Sequence, residues 1–459
     1  MTVSNAGTYG IGWTIKQVTI REIDGARNLA RCIDTEGQYL DATTSVHRTG
    51  IRPQVGQIWL ADRDLGAWTL KALIETDVAS VYAKSSPNRS PQWLNALDFG
   101  AVGKNDDTDN YGPLQRAIDA TPEGGTLYIP PGKYRIKKTL EIRRRNITIR
   151  GDHTGRWTYN TLDPTCIKPS YGGFTGSELI RIKDPQEGGH ATNIDGVRII
   201  GLTFNGVYSD SLTAPNISGL YATGAVRDLR IENCSFWQLT GYGIRTGPYT
   251  RTDGTFVFPK GWRLVEVTAD ANNLTGFYLQ NLTDASLTDC LAVGNKGDGF
   301  YHRSPGDVIY TTCRAAWNTG HGYRLDFGSA DLLYSGCTTD RNGGNGWYIT
   351  CLNSARNRPT VLSGCIARRD GKNGGGAGVR VEGTTSNIHP PLIASGLTVV
   401  TGRDDDGTGV VTPAYGLIAN KIRAVSLSGG YLEGTTAPLL TDDTSTIKAD
   451  PAVLQYTAT

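Results

Sequence analysis

Two carboxylates and a run of tyrosines and arginines carry the chemistry this sequence offers. Five segments share one form, GFYLQ, GFYHR, GYRLD, GWYIT and GVRVE, in which a glycine precedes four residues of alternating character. Read as β-strands, they turn the first and third residues after Gly inward and the second and fourth outward. One outward column is then Arg245, Tyr278, Tyr301, Arg324, Tyr348 and Arg380, and its neighbour is Gln280, Arg303, Asp326, Thr350 and Glu382. Flat rings suit sugar faces and forked guanidinia suit acidic groups. Tyr278, Tyr301, Arg303, Arg324, Tyr348 and Arg380 are therefore the expected glycan-binding residues. Asp326 and Glu382 stand two strands apart, about 9.5 Å at strand spacing. Inverting glycosidases hold their acid and base roughly 6.5–9.5 Å apart, so this is the expected catalytic pair. The plainer alternative is an ordinary exposed sheet face, since strands favour Tyr anyway.

Other polar residues are expected to be structural. Asn273, Asn295, Asn318 and Asn342 recur at one position, where stacked amides satisfy one another along a column. Asp298, His321 and Asn345 fall between paired glycines. The resulting GHG is similar to a polygalacturonase motif, but the repeat alone requires G-x-G there. His302 falls on the inward parity, as a hydrogen-bonded core histidine. The acidic run Arg403–Gly409 lacks EF-hand spacing and reads as a solvated loop. No C-x-x-C is present, and no metal or cofactor is expected.

The elements that position these residues are repeats. NLTGF, NKGDGF, NTGHGY and NGGNGW close on Gly276, Gly299, Gly322 and Gly346, a period of about 23 residues. A small residue stands five positions before each Asn (Thr268, Cys290, Cys313 and Cys337), with looser copies around Cys234 and Cys365. A unit this short, without helical pattern, cannot bury a face alone and must stack on its neighbours. The expected fold is an all-β, single-stranded, right-handed parallel β-helix. The recurrent cysteines are then a column of small buried thiols rather than disulfides.

Residues 1–84 read as a separate small β-rich domain, with strands around Ile15–Ile23, Ala30–Ile33, Gln57–Leu60 and Trp68–Ile74. A small closed barrel, OB in type, is expected. Residues 85–92 form a linker, 93–447 the β-helix with an N-terminal capping helix, and 448–459 a C-terminal tail. The net charge of +2 points to no nucleic-acid partner. No stretch approaches a membrane span, and the N-terminus shows no basic and apolar signal pattern.

From Trp93 the text changes. Asp98–Ala101 (DFGA), an acidic turn at Asp106–Thr108, an amphipathic stretch with Leu114, Ala117 and Ile118, Gly124–Tyr134 (GG-x-hydrophobic-PPG-x-Y) and Arg150-Gly151 follow in order. Thr108 or Asp109 is the expected N-cap of the helix, which covers the open edge of the first rung. Over some fifty residues this resembles the opening of pectate-lyase-superfamily (pectin-lyase-like) β-helix proteins, a pattern common in bacteriophage tailspikes and tail fibres. The resemblance implies a tail spike, fibre or minor tail protein in the virion, assembled in the host cytoplasm as a homotrimer. It also implies that the N-terminal domain meets other tail proteins and that the helix binds host cell-surface polysaccharide. Whether the glycan is cleaved, as by a depolymerase, or only bound stays open. A secreted bacterial pectate-lyase-like enzyme is the third reading.

Overall fold

Strand pairing in the computed structural model follows the 23-residue repeat. The structure describes residues 93–458 apart from 105–106, 153–163, 171–172, 190–193, 207–215, 327–330, 352–357 and 404–408, and before residue 93 only the strands named below with Gln38. Asp106 of the acidic turn, the linker at 85–92 and most of the Arg403–Gly409 run lie outside the described residues.

The chain divides into two units, Met1–Pro91 and Gln92–Thr459. In the first, Trp13–Asp24, Leu29–Asp34, Tyr39–Thr43, Ile58–Asp64 and Ala67–Glu75 pair in a ring, because Trp13–Asp24 bonds both Leu29–Asp34 and Ile58–Asp64. Closure is completed by the parallel pair Tyr39–Thr43 and Ala67–Glu75. The result is a five-stranded barrel of the expected OB type, with Thr8–Tyr9 added to its first strand. Ile20, Ala30, Cys32 and Ala42 are buried in it.

The second unit opens on a short strand, Trp93–Asn95, followed by a 3₁₀ turn, Ala96–Phe99, and a helix, α1, Tyr111–Ala120. Its N-cap is Asn110 rather than Thr108 or Asp109, and the Asn110 side chain makes no capping bond. Asp109 instead spans the junction, accepting the N–H groups of Tyr111 at 3.0 Å and Lys137 at 3.1 Å. Leu114, Gln115, Ala117 and Ile118 are the buried face of α1.

Three parallel ladders follow, the walls of a right-handed β-helix. One wall is an 11-stranded sheet from Leu140–Ile142 to Ala437–Thr441. The coil runs past residue 447, the expected boundary: Leu454–Thr457 pairs with the end of Val425–Gly434. Inside, like residues stack rung on rung. The rings of Phe277, Phe300, Tyr323 and Trp347 follow one another at 4.6, 4.9 and 5.2 Å. Each buried ring is worth about 1.5–3 kcal/mol in area removed from water.

The cysteine column is real: Cys234, Cys290, Cys313, Cys337 and Cys365 are buried free thiols. Register gives the intervening rung to Val267, not Thr268, because Thr268 pairs with Leu291, the residue after Cys290. The amide ladder needs a similar correction. Asn272, not Asn273, donates to Asn295 Oδ1 at 2.8 Å, and the chain continues to Asn318 and Asn342 at 2.9 Å each. Counted back from the Gly-aromatic pair, NNLTGF aligns with NKGDGF, which puts Asn272 in the column. Asp370 closes the ladder, accepting from Asn342 Nδ2 at 2.8 Å. The ladder also explains the glycines before the aromatics: a Cβ on Gly299 would lie 2.8 Å from Asn318 Nδ2 and 2.7 Å from the Gly322 carbonyl.

Candidate functional site

The outward column on the 11-stranded wall has the expected register. Arg245, Tyr278, Tyr301, Arg324, Tyr348 and Arg380 pair in succession. It also begins earlier than expected, since Arg181 pairs with Tyr221 and Tyr221 with Arg245. From Arg181 to Arg380 every rung presents Tyr or Arg, over about 34 Å at strand spacing. All eight side chains are half-buried.

Each of them touches at least one aromatic or guanidinium neighbour. The Arg181 and Arg245 guanidinia lie 5.0 and 3.8 Å from the Tyr221 ring centroid. Tyr242 reaches in from the adjoining turn, 5.0 Å from Tyr278, which meets Tyr301 edge-on at 5.1 Å. Arg324 covers Tyr301 at 4.5 Å, and Arg380 stands 5.9 Å from Tyr348. Such contacts pre-order long side chains that would otherwise lose rotamer freedom on binding.

The neighbouring column places Gln280, Arg303, Asp326, Thr350 and Glu382 in one line, with Arg303 exposed and Glu382 half-buried. Asp326 was expected to be open to solvent and is buried, only 4 % exposed. Its outward parity is overridden by its neighbours. Tyr301 donates its hydroxyl, Arg324 donates from Nε at 3.3 Å and Nη2 at 3.1 Å, and Thr350 Oγ1 donates at 3.0 Å. Burial alone would raise the Asp326 pKa, but the bonds from Tyr301 and Arg324 outweigh it and hold the carboxyl below its usual value. Burial and the same bond push the Tyr301 phenol up. Glu382 pairs with Arg380 and accepts the Tyr348 hydroxyl at 3.2 Å.

A second ladder runs beside the stripe. Thr275, Asp298, His321 and Asn345 each accept the backbone N–H of the residue one rung on: Asp298 at 3.3 Å, His321 at 2.7 Å, Asn345 at 2.9 Å and Ala377 at 2.8 Å. The middle position of G-x-G therefore asks for an acceptor, which accounts for the GHG. Asp298, 3.9 Å from Arg324, is pushed up to about 6 by burial. His321 is pulled down to about 4, by burial first and then by Arg324 and Arg380, and its ring stacks on Tyr348 at 4.6 Å. His302 is the core histidine expected, bonded to Tyr310 Oη at 3.1 Å and the Leu282 carbonyl at 3.0 Å.

Sequence reasoning missed Arg181, Tyr221 and Tyr242 as members of this surface. Insertions between 183 and 217 break the period there, and Tyr242 comes from a turn rather than a strand. Among the described residues no three His, Cys, Asp or Glu side chains gather as for a metal, and no helix is long and apolar enough to cross a membrane.

The family model described as rhamnogalacturonase A/epimerase, pectate lyase-like, matches residues 93–348, more than half of the chain. The chain belongs to this family. Mannuronan C5-epimerase AlgE1 of Azotobacter vinelandii is 26 % identical over 219 residues, 45 % of this chain and 14 % of that protein. AlgE4 from the same organism is 26 % identical over 215 residues, 44 % of this chain and 34 % of its own length. The chain therefore spans about a third or less of these relatives. Among solved structures, the A. vinelandii AlgE6 A-module matches with a TM-score of 0.51 at 18 % identity, covering 78 % of this chain and 98 % of that one. A tailspike of Acinetobacter phage vb_AbaP_AS12 matches with a TM-score of 0.54 at 12 % identity, covering 86 % and 66 %. Both share the pectate-lyase-like β-helix.

Proposed function

We propose that this chain is a bacteriophage tail spike or fibre (minor tail) protein whose β-helix binds host cell-surface polysaccharide along the Arg181–Arg380 stripe. The observation that carries the reading is the unbroken succession of Tyr and Arg over eight rungs, with every guanidinium of the column lying on a tyrosine ring. A line of this length engages an extended polymer many units at a time, and aromatic faces beside forked donors are what sugars require. His321 adds a donor at the edge of the stripe. The resemblance of the opening motif to tailspikes supports the virion setting, a homotrimer, and attachment to other tail proteins through the N-terminal barrel. Tyr278, Tyr301, Arg303, Arg324, Tyr348 and Arg380 are the proposed glycan contacts.

Asp326 and Glu382 are the proposed pair should the glycan be cleaved. They lie two rungs apart in one column. Asp326, held ionised by Tyr301 and Arg324, takes the base role, and Glu382 at the half-exposed end takes the acid role. A second reading, a bacterial polysaccharide-modifying enzyme, draws on the relatives named as mannuronan C5-epimerases.

The test incubates the purified protein with host envelope polysaccharide, following chain length, ultraviolet absorbance and uronate configuration together. Shortening without new absorbance supports a hydrolase, shortening with it a lyase, and altered configuration at constant length an epimerase. Binding without any change makes the protein a non-catalytic receptor-binding component. If Asp326→Asn and Glu382→Gln both leave shortening intact, the catalytic assignment is overturned.

A further inference from the structure

Two ladders remain beside the striped wall, and their outer faces carry opposite charge. One passes through Val308–Thr311 and Leu332–Ser335, the other through Arg314–Ala316 and Thr338–Asp340. On the first, register lines up Ile309, Leu333, Val361 and Ile393 facing outward, and Ile309 and Ile393 are exposed. The outward row beside them holds only Thr311, Ser335, Ser363 and Ser395, whose short side chains leave the aliphatic ridge standing above the sheet. A groove of about 600 Å³ runs along this ridge, with Asp284, Asp307 and Asp331 exposed on its rim. Arg358 bridges Asp307 and Asp331 at 3.0 and 2.8 Å, and Arg263 stands at one end. Three carboxylates against two guanidinia leave the groove net negative.

The second ladder is positive. Asp340 is buried, and among the described residues four guanidinia share its carboxylate: Arg314 at 3.5 Å, Arg341 at 2.9 Å, and Arg368 and Arg369 at 3.1 Å each. One carboxylate balances one of these charges. Arg314 and Arg368 carry positive charge to the surface, with side chains 46 % and 42 % exposed. Ile366, also exposed, lies in the outward row of Arg314.

An exposed apolar patch with a polar rim marks a contact surface. Two copies meeting groove to groove would set Asp against Asp, and two arginine faces would set Arg against Arg. Groove against arginine face instead matches the aliphatic ridge with Ile366 and carboxylates with guanidinia. Asp307 and Arg314 flank the same strand, Val308–Thr311, so the two surfaces stand at one height on the coil. Copies that match them lie side by side, parallel and unshifted. Contact between unlike surfaces is heterologous, the kind that builds rings.

We infer that the aspartate-rimmed groove over Ile309 and Leu333 docks a second copy of this chain, which enters with its Arg314, Ile366 and Arg368 face. The inference rests on the homotrimer reading above and not on what the Tyr and Arg stripe binds.

The experiment measures the mass of the full chain in solution by light scattering and cross-links engineered thiols, the native cysteines being buried. The wild type is expected at three chains. Leu333→Cys and Thr338→Cys combined, treated with a bismaleimide spanning about 10 Å, the distance between packed sheets, should give covalent species of two and three chains. Each variant alone should give none, because unlike faces meet. Asp307→Lys with Asp331→Lys should weaken association at least tenfold, and adding Arg314→Glu with Arg368→Glu should restore it, a recovery that misfolding would not show. A wild type that stays a single chain at every concentration overturns both the trimer and this face. A trimer whose combined thiols do not cross-link keeps the trimer reading and overturns the face. Cross-linking by either variant alone means that like faces meet, and that outcome or charge reversal without effect overturns the inference as well.

Discussion

Replacing Asp370 with Asn should stabilise the β-helix at neutral and alkaline pH. Asp370 ends the amide ladder in full burial, accepting the backbone N–H and the Nδ2–H of Asn342 at 3.1 and 2.8 Å and the Thr339 hydroxyl at 2.6 Å. Burial outweighs these three bonds and raises its pKa from 3.8 to about 7. A carboxyl whose folded pKa lies above its unfolded value contributes stability that is present below the unfolded pKa. That contribution is lost as pH rises through the folded one. Three units at about 1.36 kcal/mol each set an upper bound of about 4 kcal/mol lost between pH 4 and 7.5. Three histidines, two buried and one half-buried, run the other way. His302, His321 and His389 are each pulled down from 6.5 to about 4 by burial, so their contribution is lost as pH falls through that window. The wild-type pH profile is therefore a compromise, and the informative quantity is the difference between variant and wild type. Asn keeps Oδ1 as acceptor for Asn342 and turns an amide N–H to Thr339 Oγ1, whose hydroxyl can accept. Denaturant unfolding of both proteins from pH 4.5 to 8.5 should show the difference moving in favour of Asp370→Asn by about 2–4 kcal/mol, with a plateau near pH 7.5. A difference that does not vary with pH, or that moves against the variant as pH rises, would refute the reasoning.

Three further outcomes are expected. Tyr278→Ala and Tyr301→Ala should each weaken glycan binding about tenfold through loss of one stacking face. Leu279 on the opposite face of the same strand should do so only if the fold is lost, and comparison of melting temperatures with calorimetric affinities separates the two. His302→Phe leaves the Tyr310 hydroxyl buried without a partner and takes one of two donors from the Leu282 carbonyl, which keeps the Gly306 N–H. It should cost about 1–3 kcal/mol in denaturant unfolding and leave glycan affinity unchanged. The His321 ring should show an unprotonated Nδ1 by nitrogen NMR, because that atom accepts the Asn345 N–H. It should also show no titration between pH 5.5 and 8, and a midpoint near 6.5 would contradict its burial.

Much of the site was legible because a repeat turns spacing into contact. Once Gly276, Gly299, Gly322 and Gly346 align, strand alternation assigns Tyr278, Tyr301, Arg324 and Tyr348 to one outward line, and their observed pairing follows residue for residue. What failed was whatever depends on more than one rung at once. Asp326 has outward parity yet is buried, because Tyr301 one rung before it and Thr350 one rung after it close over its carboxylate. Asn272 and Asn273 are equivalent as text; only the fixed distance back from the Gly-aromatic pair selects the first. The helix cap moved to Asn110 because the Asp109 carboxylate also serves the distant Lys137 N–H.

By itself the sequence determined the coil, its period, the inward and outward faces and the buried thiol column, since all follow from local alternation repeated at one spacing. The tertiary structure alone decided where the stripe begins and how deeply its carboxylates are buried. Arg181 and Tyr221 join the column across insertions of no fixed length. The stripe's closest ion pairs are local in the chain, Arg324 with Asp326 and Arg380 with Glu382. The burial of Asp326, however, is settled by Tyr301 and Thr350, each a rung away in space and more than twenty residues away in the chain. Electrostatics depends on through-space distance and on exclusion of water, and neither is written in the order of residues.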